Sequence, residues 1–86
     1  MERITKQTLH ARMGNVNRRL NPGKSVEEWA HHGRYVYVEF RNGAVALDEY
    51  LGTSCIRTIT VGTKREVADF LHAMMVGIDL SRAPRQ

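Results

Sequence analysis

The side chains best suited to chemistry in this chain are four histidines and one cysteine, and their spacing matches no metal or catalytic site. His31 and His32 are adjacent, so in an extended chain their rings point to opposite sides. The other three candidates stand apart in the sequence: His10, Cys55 and His72. A zinc site draws on several ligands at short spacings, and a single cysteine cannot supply paired thiolates. We therefore predict that the chain holds no metal and no cofactor.

Two further groups each have a catalytic and a structural interpretation. Cys55 beside Ser54 would need a neighbouring base or cation to become a nucleophile, and the sequence supplies none nearby. We interpret Cys55 as a small apolar residue of the core. Asp48 and Glu49 would act as paired acids only inside a cleft, which a domain of 86 residues rarely encloses. We interpret them as solvated charges at a strand end, and we predict that the protein is not an enzyme.

Residues 62–65, Gly-Thr-Lys-Arg, could bind an anion, because two cations lie beside the free amides of a helix N-terminus. They lack the glycine-rich loop of a nucleotide-binding motif. Thr63 and Glu66 instead have the spacing of a capping box, in which each side chain accepts a hydrogen bond from the backbone amide of the other residue. This pattern favours a helix start over an anion site.

The first helix is predicted to begin after Thr5, a residue type that caps helix N-termini well. Its narrow apolar stripe consists of Leu9, Met13, Val16 and Leu20. The sequence Asn-Pro-Gly at residues 21–23 ends it, since proline cannot continue a helix. Ser25 and Glu28 form a second capping box that opens a short helical turn. We expect Trp29 to anchor that turn on the core.

The last helix is predicted to follow the capping box at Thr63. Its apolar stripe is wider than that of the first helix and consists of Val67, Phe70, Leu71, Met74 and Ile78. Gly77 is interpreted as the left-handed residue that ends the helix. Residues 81–86 are predicted to form a frayed tail.

Three strands are predicted between the helices. Residues 34–40 are rich in β-branched and aromatic types, and Val36, Val38 and Phe40 share one face. Asn42 and Gly43 predict a two-residue hairpin loop, since both tolerate positive φ. Residues 44–50 return as the second strand and residues 55–61 form the third. We therefore predict one α+β domain over residues 1–86 with the order α-β-β-β-α: a three-stranded antiparallel sheet packed against the N- and C-terminal helices.

The opposite face of the first strand carries the candidate binding residues Tyr35, Tyr37 and Arg41. Aromatic rings beside arginines can stack unpaired bases. The same residue types also dominate protein interfaces, either with a second copy as a homodimer or with a foreign protein. The net charge is +4, but the basic residues are diffuse, so we favour protein contact. The nucleic-acid alternative would use four cations expected to converge near the loop after the first helix: Arg18, Arg19, Lys24 and Arg34.

Compartment can be predicted from three absences in the sequence. No apolar run approaches the roughly 18 residues of a membrane helix, so we expect no membrane contact. Residues 1–6 lack the apolar stretch of a signal peptide. One cysteine cannot form an internal disulfide. Together these features favour the reducing cytoplasm.

Both ends of the chain carry short motifs that occur together elsewhere. The first helix opens with Ile-Thr-Lys at residues 4–6 and contains Asn-Val-Asn at residues 15–17. The last opens with Gly-Thr-Lys-Arg-Glu-Val at residues 62–67, then has Phe-Leu, Ala-Met and Gly-Ile pairs. These motifs resemble a family of short, uncharacterised proteins encoded by tailed bacteriophages. The resemblance implies a phage origin and an accessory, non-virion role in the host cytoplasm. It implies no activity and no site residues, and it departs at residues 35–38, where relatives tend to carry glycines.

Overall fold

The computed structural model describes residues 3–82, which form three helices and three strands. The helices are α1 (Lys6–Leu20), α2 (Val26–His32) and α3 (Lys64–Ser81). The strands are β1 (Arg34–Arg41), β2 (Ala44–Leu51) and β3 (Ser54–Gly62), which pair antiparallel in the order β1-β2-β3. This confirms the predicted α-β-β-β-α arrangement, with the short α2 between α1 and β1. No helix within residues 3–82 is long and apolar enough to span a membrane.

The helix starts are those that the sequence predicts. The Thr5 hydroxyl accepts from the backbone amide of Thr8 at 3.2 Å and opens α1. Complete capping boxes open α2 at Ser25 and α3 at Thr63. In the last of these, the Glu66 carboxylate already accepts from the Thr63 amide at 3.0 Å. The backbone groups that an anion would need are therefore partly satisfied from within the chain.

The predicted end of α3 is wrong. The helix continues through Gly77 to Ser81, and the amide of Arg82 still bonds to the carbonyl of Ile78 at 3.2 Å. Gly77 does not adopt positive φ. The helix tolerates this glycine, since the backbone hydrogen bonds around it continue. Ser81 and Arg82, the first two residues of the predicted frayed tail, are instead the last residue and the C-cap of α3. The remaining residues of that predicted tail, 83–86, lie outside the described residues.

The first hairpin turns at Asn42 and Gly43, as predicted. Their φ values of 45° and 83° place both residues in the left-handed region. Phe40 faces Val45 across the strands, which is the register that the predicted two-residue loop requires. The pairing of β2 with β3 is less regular, because the register shifts twice along β3.

Gly43→Val is expected to lower the free energy of unfolding by about 1 kcal/mol or more, because a β-branched residue resists positive φ. Thermal unfolding followed by circular dichroism measures the change. A variant with the melting temperature of the wild type would contradict the assigned turn.

The core lies between one sheet face and the helices α1 and α3. Its fully buried members come from both helices and the first two strands: Leu9, Val16, Val36, Val38, Val45, Leu47, Val67, Ala68 and Leu71. Met13, Leu20, Met74 and Ile78 pack around this cluster, as the two predicted stripes require. Met75 also packs against this cluster. The core is therefore shared by both helices.

Two aromatic residues predicted in the core lie at its rim. Phe70 is 39% exposed, and Ala68 is buried in its place. The reason is that α1 lies alongside α3, where Arg12 donates to the Ala68 carbonyl at 3.0 Å, so the buried arc of α3 is rotated toward α1. Phe40 is also partly exposed because it meets the polar first turn of α1, with the Lys6 ammonium 4.8 Å from its ring centre.

Two asparagine side chains, in α1 and at its C-cap, form hydrogen bonds with the backbone groups on the outer edge of β1. The side-chain amide of Asn17 donates to the Val36 carbonyl at 2.9 Å, and its oxygen accepts from the Val36 amide at 2.8 Å. Asn21 donates to the carbonyl of Arg34 at 2.9 Å. These bonds replace the partners that a fourth strand would supply, so the helix covers an edge that would otherwise be open to pairing.

Candidate functional site

The sheet face turned away from α1 and α3 is called the outer face. The strand register gives its rows, from β1 to β3: Tyr35 with Tyr50 and Cys55, Tyr37 with Asp48 and Thr58, Glu39 with Ala46 and Val61, and Arg41 with Ala44. All three candidate residues of β1 therefore lie on this face, as the alternation of the strand predicts. Tyr50 and Asp48 join them from β2.

The aromatic rings of the outer face pack on one another. Tyr35 and Tyr50 are stacked, with ring centres 5.3 Å apart and planes 11° from parallel. Tyr37 meets the edge of Tyr50 at 6.3 Å. The Tyr35 hydroxyl donates to the Gly52 carbonyl at 2.8 Å, which fixes that ring. Tyr37 remains 46% exposed and is the accessible end of the cluster.

Helix α2 covers the other end of this aromatic cluster. Trp29 packs on Tyr35 with ring centres 5.0 Å apart, so it is anchored on the outer face and not on the core as predicted. The cause is the turn after β2, where Gly52 has a φ of 60° and its amide bonds to the Gly33 carbonyl at 2.9 Å. A side chain at Gly52 would meet the His31 carbonyl oxygen at 2.5 Å, so glycine permits the close approach of α2.

A charged cluster occupies the middle of the outer face. The Arg41 guanidinium donates to Glu39 and to Asp48, both at 2.8 Å. Thr58 donates to the other oxygen of Asp48 at 2.7 Å. Asp48 is only 1% exposed, so the interpretation of this residue as a solvated charge is wrong. It is tolerated in the sheet because its carboxylate has charged and neutral donors.

Proton equilibria in this cluster follow from its geometry. The hydrogen bond and positive charge of Arg41 lower the pKa of the Glu39 carboxyl, and the hydrogen bond to Glu39 raises the pKa of Arg41. Partial burial, assisted by the nearby Cys55, raises the pKa of the Tyr50 hydroxyl. The outer face therefore presents an ionised Arg41–Glu39 pair and a neutral Tyr50 at neutral pH.

Glu49 also contradicts its interpretation as a solvated charge. It lies on the helix side of the sheet, where its carboxylate accepts from Arg57 at 2.7 Å and pairs with Arg34 at 3.2 Å. These three residues border an open cleft of about 150 Å³, whose other lining residues are Leu20, Val36, Ile59 and Met74. The ion pairs therefore line a cleft at the margin of the core, between α1, α3 and the sheet.

The four cations proposed for nucleic acid do not form one free basic patch. Arg18 bonds to the side chain of Asn15, and Arg19 pairs with Asp79 at 2.8 Å. Arg34 pairs with Glu49, as described above. Lys24 is exposed in the loop after α1. Three of the four thus already have an acidic or amide partner within the chain.

The candidate metal ligands are dispersed. Among residues 3–82, no group of three or more histidine, cysteine or carboxylate side chains could hold a metal ion. His31 and His32 are exposed, with ring centres 6.2 Å apart. Cys55 is exposed too, and not a core residue as predicted, because it lies at the start of the sheet's edge strand.

Comparison with protein-family models, curated proteins and solved structures finds no match to this chain. The resemblance to short phage proteins therefore stays a prediction. The fold and the outer face define the chain as a three-stranded α+β domain with helices on one sheet face and an aromatic, charged surface on the other.

Proposed function

We propose that the protein is a phage-encoded, non-catalytic accessory protein of the host cytoplasm that binds a host or phage protein through its outer face. The observation that carries the proposal is Tyr37, a half-exposed aromatic residue that packs against the edge of Tyr50 on a sheet face. Within residues 3–82, α2 covers only the end of that face around Tyr35. Tyr37, Glu39 and Arg41 are therefore accessible to a partner.

Preorganisation supports this proposal. The stacked Tyr35 and Tyr50 support Tyr37, and Arg41 is held by two carboxylates. Side chains that are already ordered lose little conformational freedom on binding, so more of the contact energy appears as affinity. Tyrosine and arginine are also the types that most often dominate interface energetics.

The charge of the outer face favours a protein over nucleic acid. Its charged residues are the two carboxylates of Glu39 and Asp48 and the one guanidinium of Arg41. Although the whole chain has a net charge of +4, this face is thus slightly acidic. Nucleic-acid affinity depends on cations that neutralise phosphates, which this face does not offer in excess.

Tyr37→Ala is expected to weaken partner binding by about 2 kcal/mol, the size typical of an interface hot spot. The fold should remain intact because the Tyr37 ring is half-exposed and is not part of the hydrophobic core. Once a partner has been captured, isothermal titration of wild type and variant measures the difference. Circular dichroism checks that the variant is folded.

Leu80→Ala provides the matched control, because Leu80 is an exposed apolar residue at the far end of α3. It should bind the partner like wild type. If Tyr37→Ala also binds like wild type, the outer face is not the interface. The tyrosine-face homodimer is tested in the same series, since there the captured partner would be a second copy of this chain.

Nucleic-acid binding is the alternative outcome. A mobility shift on DNA or RNA that weakens steeply with added salt, and that is lost on replacing Lys24 and Arg34 but not Tyr37, would support it. Capture of a protein that does not weaken with added salt would count against nucleic-acid binding.

A further inference from the structure

The two edges of the sheet differ in whether their backbone groups have hydrogen-bond partners. Side chains of α1 satisfy the outer edge of β1 through Asn17 and Asn21. The outer edge of β3 has no such cover within residues 3–82, since β3 pairs only with β2 and its residues 54–58 are all exposed. Ile56 and Val61 on this strand are 47% and 57% exposed. An uncovered edge of this kind is a template for pairing with another chain.

The irregular register between β2 and β3 limits how many backbone hydrogen bonds the β3 edge can make with another strand. Ile59 and Ile56 are the extra residues at the two register shifts between β2 and β3. Such bulges interrupt the ladder and bend the strand. The edge therefore offers only a short run of backbone partners, and a stable association needs a second element beside it.

Helix α3 supplies that element. It lies over β2 and β3, with α1 on one side, where Arg12 and Arg19 bond to Ala68 and Asp79. The opposite flank of α3 therefore lies on the side of the β3 edge. Helical periodicity places on this flank Phe70, Ala73 and Gly77, which are all exposed.

Neither backbone conformation nor packing within residues 3–82 requires a glycine at position 77. Its φ is not positive, and an added Cβ would meet no described atom within 4 Å. Glycine inside a helix costs about 1 kcal/mol relative to alanine. An exposed glycine on a helix leaves room for another backbone to approach closely.

We propose that a second copy of this chain binds here, with β3 pairing antiparallel to β3 and the Phe70–Gly77 flank packing on its counterpart. A two-fold axis brings the same strand and the same helix together, so one copy fills both the edge and the flank. An extended peptide would fill the edge alone and leave Phe70 exposed. Between Phe70 and Gly77 the flank carries no charge, and Arg57 of β3 is paired with Glu49. Identical surfaces therefore meet without strong repulsion.

The dimer would contain one continuous six-stranded sheet with two outer faces on the same side. Two Tyr37 sites would then act together, and a partner with two epitopes would bind with avidity. The dimer itself does not depend on the proposed function of the outer face.

Gly77→Lys is the sharpest test, because the site has open space and lysine is a better helix former than glycine. Light scattering after size exclusion, across micromolar to millimolar concentrations, should give the mass of two chains for wild type and of one chain for Gly77→Lys. Ile56→Lys on the β3 edge should also be monomeric. Circular dichroism should show both variants folded.

Two controls locate the interface. His72→Lys places the same charge on an exposed position of α3 on the opposite side of the helix from Phe70 and Gly77, and it should remain dimeric. Tyr37→Ala should remain dimeric as well. A wild type that is monomeric at every concentration, or a Gly77→Lys that is still dimeric, would overturn the proposal. A Tyr37→Ala monomer would also overturn it, by assigning self-association to the outer face.

Discussion

Leu71→Ala is expected to lower the free energy of unfolding by about 2 to 5 kcal/mol, which is the cost of removing a buried leucine and leaving a cavity. Leu71 is fully buried in the cluster that joins α1, α3 and the sheet. A domain of 86 residues has a small core, so this loss is a large share of its total stability. Chemical denaturation followed by circular dichroism measures the change.

Leu80→Ala is the matched control for that prediction, since it makes the same substitution on the same helix. Leu80 is 70% exposed, and surface substitutions of this kind usually change stability by less than about 0.5 kcal/mol. Phe70→Ala should fall between the two because the ring is only partly buried. Equal effects of Leu71→Ala and Leu80→Ala would contradict the assignment of the buried face of α3.

Asn17→Ala is expected to lower the free energy of unfolding by about 2 to 5 kcal/mol, although it removes no apolar contact. The Asn17 side chain is 1% exposed and is the partner of both the amide and the carbonyl of Val36. Leaving a buried backbone group without a partner costs about 1 to 3 kcal/mol, and this variant leaves two. Denaturant titration of wild type and variant gives the difference.

Two companion variants separate this explanation from a loss of helix content. Asn15→Ala lies on the same helix and removes only a side-chain contact with Arg18, so it should be nearly neutral. Asn17→Asp keeps the oxygen that accepts from Val36 but places a second oxygen against the Val36 carbonyl. It should therefore be destabilised further as its carboxyl ionises with rising pH. An Asn17→Ala protein as stable as wild type would show that the β1 edge does not need this partner.

The sequence predicts the first hairpin well because its turn residues and its strand pattern agree. Asn42 and Gly43 determine the loop, and the loop determines which residues face each other. The same register pairs Tyr35 with Tyr50 and Tyr37 with Asp48. Extending the predicted register along β2 would therefore have placed Tyr50 beside Tyr35 and Asp48 beside Tyr37, but it does not indicate that Asp48 is buried.

Other features depend on contacts that local pattern does not contain. The position of β3 depends on two bulges, and nothing in the run of β-branched residues indicates where the extra residues fall. The exposure of Phe70 depends on the packing of α1 against α3, which buries Ala68 instead. Trp29 lies on the outer face because Gly52 lets α2 approach the turn after β2. In each case the deciding contact joins elements that are distant in the sequence.

Affinity capture from host-cell extract, with and without nuclease treatment, tests most directly the central claim that the outer face binds a protein. Tagged wild type, Tyr37→Ala and Leu80→Ala would be compared side by side. We predict that wild type and Leu80→Ala capture the same protein with or without nuclease, and that Tyr37→Ala captures much less of it. Capture that disappears with nuclease, or that is equally strong with Tyr37→Ala, would contradict the account.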